Sequence, residues 1–421
     1  MIDLSDGVVV VGAGVAGLAA ARHLRQAGIT VTLIEAGSRI GGRAHTVPFN
    51  GAPFDLGAGW LHASQRNPLV ALAQSGDALR NSDLPRTERL FIEGRPATEA
   101  EHAAYTAAWD RLDAVVAPAL AGPDVSLADA MRPMADDPWA STIALWEGAI
   151  IAAADAADLS LRDWHRNALD GPNLQPGDGI GAFIARHLAT SANLDTPVDA
   201  INWSGPGLRL ETFRGTVRAA AAIVTVSTGV LAAGGIRFTP ELPIAVQAAI
   251  DGLPMGLLSK IALPIDAAPP GFVSDSLLLD RAYPITFDAW PNGRPLVTGF
   301  VGGRLAWSLA TDPAAATTLA LDAFRAMTGI DITNRALLTD WGTNPLFRGA
   351  YAYAPPHQSH QRDVLAAAFP AERLVFAGEA VATDGLAGTV GGAYLTGIAA
   401  AARLLASAGS KSKVPSVDCQ V

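Results

Sequence analysis

Three glycines at the spacing G-x-G-x-x-G, Gly12, Gly14 and Gly17, stand between an apolar run, Val8 to Val11, and an alanine-rich helical pattern, Leu18 to Gln26, that Gly28 ends. The chemistry that calls for such a loop is phosphate binding. Gly12 permits a tight turn, Gly14 lets a pyrophosphate approach the backbone, Gly17 lets helix and strand pack closely, and the helix N-terminus faces the anion. A second β-rich run, Thr30 to Ile34, ends at Glu35, which is placed to accept hydrogen bonds from ribose hydroxyls and is unsuited to a 2'-phosphate. Strand, glycine turn, helix, strand and acid in that order describe a dinucleotide-binding unit.

Lys260 is the second candidate. The chain has 27 Arg and three Lys, and Lys411 and Lys413 sit close to the C-terminus, so Lys260 is the one lysine of the expected folded body. A compact ammonium inside an apolar strand differs from a planar guanidinium fork in what it can reach and in how readily it changes protonation. The competing reading is a lysine that snorkels to the surface. His357 and His360 lack a carboxylate at metal-ligand spacing, so no metal site is expected there.

The elements that must position these residues follow from pattern. Residues 69–189 carry amphipathic stretches such as Ala100 to Val116 and Pro138 to Ala154, broken by Pro118, Pro123 and Pro133, and read as a mostly helical insert. Strands are expected at Leu208 to Phe213, Ala221 to Ser227, Leu257 to Leu263, Ile285 to Ala289 and Leu296 to Val301, with a helix at Pro313 to Met327. A final strand, Leu374 to Ala377, and a helix, Gly391 to Ala406, close the fold; the polar tail beyond Gly409 is expected to be disordered.

Composition narrows the classes. At 421 residues, 50% hydrophobic and 17% charged, the chain is globular with two or three domains' worth of core. A formal charge of -10 without any basic run argues against nucleic acid or an anionic membrane surface as partner. Two uncharged 18-residue stretches, Ala219 to Ile236 and Gly385 to Ala402, are rejected as membrane spans for their glycines and missing interfacial anchors. A single cysteine, Cys419, and a start without a secretory pattern predict a cytoplasmic protein.

Beyond Glu35 the chain reads AGSRIGGR over Ala36 to Arg43, a loop that a plain NAD-binding unit does not need. It resembles the FAD-binding signature of the flavin-containing amine oxidases, and further blocks follow in that family's order. FDLGAGWLH, Phe54 to His62, is similar to the loop against the flavin in its polyamine-oxidase form, although Ala63 stands where that group usually has glycine. TPVDAI, Thr196 to Ile201, resembles the strand whose valine, here Val198, meets the adenine side. The segment Ala221 to Pro243 resembles the crossing between domains, GLLSKI around Lys260 the lysine strand, and Trp341 to Tyr353 the aromatic strand over the flavin. LVFAGE, Leu374 to Glu379, and GTVGGAY, Gly388 to Tyr394, resemble the C-terminal flavin motif.

What the resemblance implies is an α/β protein with a discontinuous Rossmann-like FAD-binding domain (1–68, 190–236 and 366–408) and a substrate domain of mixed β-sheet and helices (69–189 and 237–365), then a tail, 409–421. FAD contacts are expected from Gly12, Gly14, Val15, Ala16, Gly17 and Glu35, and from Ala36, Arg39, Gly42 and Arg43 in the second loop. Gly57, Ala58, Gly59, Trp60, Val198 and Trp341 follow, with Gly378, Glu379, Thr389 and Val390 at the C-terminal motif. Lys260 is the implied catalytic residue, holding a water at flavin N5; Tyr351, Trp60 and Thr389 are implied to meet the substrate, with an ordinary packed tyrosine as the alternative for Tyr351. Thr389 stands where a second tyrosine would complete an aromatic cage, and Ala350 stands where some relatives tether the flavin through cysteine, so FAD is expected to be noncovalent. The implied reaction is hydride transfer from the amine α-carbon to the flavin, giving an imine that hydrolyses, with O2 reoxidation to H2O2. Amine and O2 are the implied small-molecule partners, and the substrate is expected to be polyamine-like or another primary or secondary amine. The alternatives are an L-amino-acid oxidase or related dehydrogenase or desaturase, and a flavin-binding scaffold without turnover.

Overall fold

The computed structural model describes residues 6–83, 87–265, 268, 271–332 and 335–409. The tail from residue 410, with Lys411, Lys413 and Cys419, lies outside the described residues.

A four-stranded parallel sheet runs in the order Val31–Ile34, Val8–Val11, Ala221–Val224, Leu374–Phe376. Its two central strands are buried along their whole length, which is why they read as continuous apolar runs rather than as an alternation. Val8 and Val10 face a core with helices Val15–Gln26 and Val390–Ser407, while Val9 and Val11 face a second core with the antiparallel strands Val198–Asn202 and Leu208–Thr212. Val390–Ser407 is long and apolar enough to cross a membrane, and nine of its residues are buried in this fold. It crosses Val15–Gln26 so closely that a Cβ on Gly397 would collide with the carbonyl of Ala16.

The second large layer is a seven-stranded sheet in the order Leu337–Leu338, Leu258–Pro264, Leu296–Gly302, Thr286–Ala289, Ser276–Asp280, Thr87–Ile92, Arg95–Pro96. One face, through Ile261, Leu263, Val297 and Phe287, packs on helix Pro313–Thr328. The other carries Lys260, Phe300 and Thr286 in register on neighbouring strands, while farther along the same face Leu90, Leu277 and Leu279 share a core with helix Glu99–Ala119.

Three expectations are corrected. Thr87–Ile92 lies in the stretch read as helical yet pairs in parallel with Ser276–Asp280, because its β-formers stand in an alanine-rich window whose helical pattern dominates the count. Pro118 sits within helix Glu99–Ala119 rather than breaking it, one residue from the end. The domain limits also shift: helix Ile180–Leu188 buries Phe183 and Ile184 in the core of Val8 and Leu24, and helix Ile244–Asp251 buries Val246 and Ile250 in that of Val9 and Val198. Both belong by packing to the nucleotide-binding unit, and apolar helices of this length carry no mark of which sheet they will cover.

The helical insert is fastened by a buried ion pair. Arg362 Nε and Nη2 donate to the two carboxylate oxygens of Asp163 at 2.7 and 2.8 Å, and the guanidinium also donates to the carbonyls of Ala380 and Ala352. Both residues are 2% exposed. Removing one partner strands a charge in low dielectric, so Asp163→Ala is expected to lower the unfolding free energy by about 3–5 kcal/mol in urea titrations, and a loss below ~1 kcal/mol would refute it.

Candidate active site

All four parallel strands end on one cavity of about 960 Å³. Gly12 follows the first strand, Glu35 the second, Thr225 the third, and Gly378 lies just past the fourth; each lines the cavity, which is where open α/β sheets bind ligands. The opposite wall is the face of the seven-stranded sheet turned away from helix Pro313–Thr328, with Leu258, Lys260, Thr286 and Phe300.

The glycine turn has the shape of an anion cradle. Gly12 is held at φ +99 with the Thr225 hydroxyl donating to the carbonyls of Val11 and Gly12 at 2.8 and 3.1 Å. A Cβ on Gly14 would meet nothing within 4 Å, so space is kept beside the turn. Gly14 is the N-cap of Val15–Gln26 without side-chain capping, and no acid stands in the first turn, which leaves the helix N-terminus free to attract negative charge. Glu35 accepts from the N–H of Ala13 at 2.6 Å and of Gly37 at 2.8 Å, which orients its carboxylate at the cavity edge. These features fit an adenine dinucleotide with its pyrophosphate on the helix and its ribose at Glu35.

Of the expected cofactor residues, Val15, Ala16, Ala36, Gly42, Arg43, Gly57, Ala58, Gly59, Trp60, Val198, Trp341, Glu379, Thr389 and Val390 line the same cavity. Two do not. Gly17 is behind the turn, where a Cβ would collide with the carbonyl of Gly12, so its role is packing alone. Arg39 turns aside to donate to the carbonyl of Ile40 at 3.2 Å and lies near Glu35 and Asp340. Arg43 donates to Glu379 at 2.9 Å and to the carbonyl of Ala350 at 2.7 Å, joining the second loop to the C-terminal motif.

Lys260 is buried, and its Nζ donates to the carbonyls of Asp55 at 2.8 Å and Gly57 at 2.6 Å. The rings of Trp60, Phe300 and Phe54 surround it at 5.5, 5.9 and 6.0 Å. Burial pulls its pKa down to about 8, while the charges of Asp55 and Asp288 act in the opposite direction. One ammonium N–H remains beyond the two carbonyls. The snorkelling reading is thus overturned. Trp341 donates from Nε1 to the carbonyl of Leu56 at 3.1 Å, which fixes the same loop from the other side. The stretch 341–353 is largely turns; only Tyr351–Ala352 within it is strand.

The substrate side is built partly from a wide π-helix, Leu145–Ala152, a local form common at functional sites. The phenol of Tyr351 donates to the carbonyl of Ile151 at 2.9 Å, and its ring lies against Gly388. Thr389 lines the cavity, but its hydroxyl donates to Leu386 O at 2.8 Å and accepts from Gly392 N at 3.1 Å as an N-cap. Its one donor hydrogen is thereby taken, so toward the cavity it offers its methyl group and a remaining acceptor lone pair.

Glu147, Asp83 and Asn173 of the cavity wall were missed by sequence reasoning, whereas His62 belongs to the loop Phe54 to His62 already expected against the flavin. Glu147 on the π-helix accepts from Trp164 Nε1 at 2.8 Å, and burial pushes its carboxyl above the ordinary range. An acid inside an apolar helical stretch was the available signal. Asn173 donates to the Asp83 carboxylate, so its amide oxygen faces His62 Nδ1 at 2.8 Å; His62 therefore carries its proton on Nδ1, leaving Nε2 as an acceptor. Burial lowers the His62 pKa and keeps the ring neutral. Asp83 and Asn173 are far apart in sequence and carried no signal.

Comparison with known proteins agrees with this geometry. The family model of flavin containing amine oxidoreductase matches residues 15–112 and 121–405. A probable polyamine oxidase 4 of Arabidopsis thaliana is 29% identical over 94% of this chain and 86% of its own length. A lysine-specific histone demethylase 1 homolog of Oryza sativa subsp. japonica is 30% identical over 96% of this chain, which spans about half, 53%, of that relative. A putrescine oxidase solved with putrescine bound superposes with a TM-score of 0.78 at 21% identity, covering 95% of this chain and 99% of that one.

The cradle can be tested on cofactor content. Gly14→Val is expected to fold with near wild-type stability and to bind FAD at least about tenfold more weakly in titrations followed by flavin absorbance. Gly17→Ala is expected instead to lower the melting temperature, because its clash is with the protein itself. Unchanged FAD affinity in Gly14→Val would refute the placement of the pyrophosphate.

Proposed function

The chain belongs to the flavin-containing amine oxidoreductase family, an amine oxidase with FAD as cofactor, and from that premise we propose that it oxidises a polyamine-like or other primary or secondary amine at the carbon beside nitrogen. The observation that carries this reading is the buried Lys260 ammonium, set on the carbonyls of the Gly57 loop in the same cavity as the glycine cradle and Tyr351. Ala350 supplies no thiol beside Tyr351, which supports noncovalent FAD. The single cysteine, Cys419, suits a reducing compartment, the cytoplasm.

When bound, FAD supplies a two-electron acceptor for the C–H next to nitrogen, and O2 then takes the electron pair to give hydrogen peroxide. The chain's own residues do the rest. Gly14 and the first turn of Val15–Gln26 receive the pyrophosphate, Glu35 the ribose, and Arg43 with Glu379 braces the loops on either side. Tyr351, pinned by its phenol to the π-helix, presents an electron-rich ring to the amine. Neutral His62, with its proton on Nδ1, offers Nε2 as an acceptor to the substrate nitrogen, and a proton passed from the substrate ammonium to Nε2 frees the lone pair that assists loss of the neighbouring hydride. Lys260 holds a water with its remaining N–H, and the apolar rings around it exclude others. The product imine is released to water and hydrolyses to a carbonyl compound. The carboxylates of Asp113, Glu147 and Asp288 on the cavity wall favour a cationic substrate over the carboxylate of an amino acid.

Two experiments follow. Anaerobic addition of polyamines, arylalkylamines or amino acids to the holoenzyme is expected to bleach the oxidised flavin band with an amine pool; bleaching by amino acids alone would replace this reading with an amino-acid oxidase. Because Lys260 titrates near pH 8, its ammonium is progressively lost above that value, so the oxygen-dependent rate should fall on that limb. Lys260→Met is expected to remove the limb and lower kcat/KM for O2 at least about tenfold, about 1.4 kcal/mol; a variant with the wild-type profile would refute this role.

A further inference from the structure

Four buried side-chain atoms have no hydrogen-bond partner among the described residues: Thr142 Oγ1, Thr286 Oγ1, Trp290 Nε1 and Asn292 Oδ1. Only Thr286 among these residues lines the active-site cavity. It is 1% exposed, and a hydroxyl so placed loses its hydration without compensation unless a ligand or water supplies the bond. A valine would fill the same shape without that loss, so the hydroxyl has a cost that packing does not explain.

Sheet register places it with the chemistry. Lys260 pairs with Phe300, and Phe300 pairs with Thr286, so the three side chains lie in one row on the cavity face. Two strand spacings put the backbone of Thr286 about 10 Å from that of Lys260. Asp288, two residues further on the same strand, shares that face and also lines the cavity. Its negative charge reaches Lys260, where it favours the ammonium. Thr286 thus offers an oxygen beside an aromatic ring and a carboxylate, a setting that suits a cationic N–H donor.

We propose that Thr286 is a specificity-determining residue whose hydroxyl accepts a hydrogen bond from a second nitrogen of the substrate, held in its cationic form by the neighbouring Asp288 carboxylate. The proposal rests on the amine-oxidase reading and extends it to where on the sheet the non-reacting end of a diamine is recognised. A site that hydrogen-bonds such a group discriminates against the analogue lacking it, because the hydroxyl is then left without a partner.

The test compares 1,4-diaminobutane with 1-aminobutane, reading kcat/KM for each from anaerobic flavin bleaching. In Thr286→Val the diamine-to-monoamine ratio is expected to fall at least about tenfold. Thr286→Ser, which restores the hydroxyl, is expected to keep most of the wild-type ratio. Thr286→Val should also melt no lower than wild type, since it removes a polar group that lacks a partner. A ratio unchanged in Thr286→Val, or lost equally in Thr286→Ser, overturns the assignment and leaves the amine-oxidase reading standing. A wild-type flavin that neither amine bleaches, while amino acids do, overturns both.

Discussion

The arrangement depends on an ammonium kept out of water. Lys260 reaches from the seven-stranded sheet to the carbonyls of Asp55 and Gly57, which follow from the nucleotide-binding unit, so one buried cation ties the two layers together. Two oxygen acceptors and three rings replace only part of its hydration, and the pKa near 8 records the remainder. Everything nearby accommodates that cation. Gly59 keeps its neighbourhood open, since a Cβ there would stand 3.3 Å from Nζ. A Cβ on Gly57 would collide with the carbonyl of Arg43, and Trp341 holds Leu56 in place.

Backbone carbonyls bound by buried or half-buried cations recur around the cavity. Arg43 binds the carbonyl of Ala350, and Arg362 binds those of Ala352 and Ala380, so the residues flanking Tyr351 on both sides are fixed by guanidinium groups. Glu379 and Asp163 neutralise these cations from elements distant in sequence. Charged side chains here act as fasteners for loops that form little regular secondary structure, which a planar fork with several donors does well. The same logic explains why the segment 341–353 needs so little strand to present its aromatic residue.

On the substrate side, the π-helix places two different functions on one element. Its carbonyl at Ile151 receives the Tyr351 phenol, and its side chain at Glu147 adds a carboxylate to the wall. The widened turn shifts these groups from where regular α-helical spacing would put them. The sheet opposite supplies Lys260, Phe300, Thr286 and Asp288 by simple alternation, with helix Pro313–Thr328 covering the other face. A cavity with one aromatic wall and acidic neighbours results.

Local pattern sufficed for the nucleotide-binding turn. Glycines at 12, 14 and 17, the apolar strands beside them and the acid at 35 state a single supersecondary unit, because each acts on neighbours within a few residues. Lys260 stood out by composition alone, in a chain that otherwise uses arginine. The sequence could not say that Gly17 and Arg39 stay outside the cavity, that the Thr389 hydroxyl caps a helix, or that helices Ile180–Leu188 and Ile244–Asp251 join the nucleotide-binding core. Nor could it bring Asp83, Asn173 and His62 together, or leave the Thr286 hydroxyl without a partner. Those outcomes depend on which surfaces meet across long sequence separations, and only the packed tertiary structure decides that.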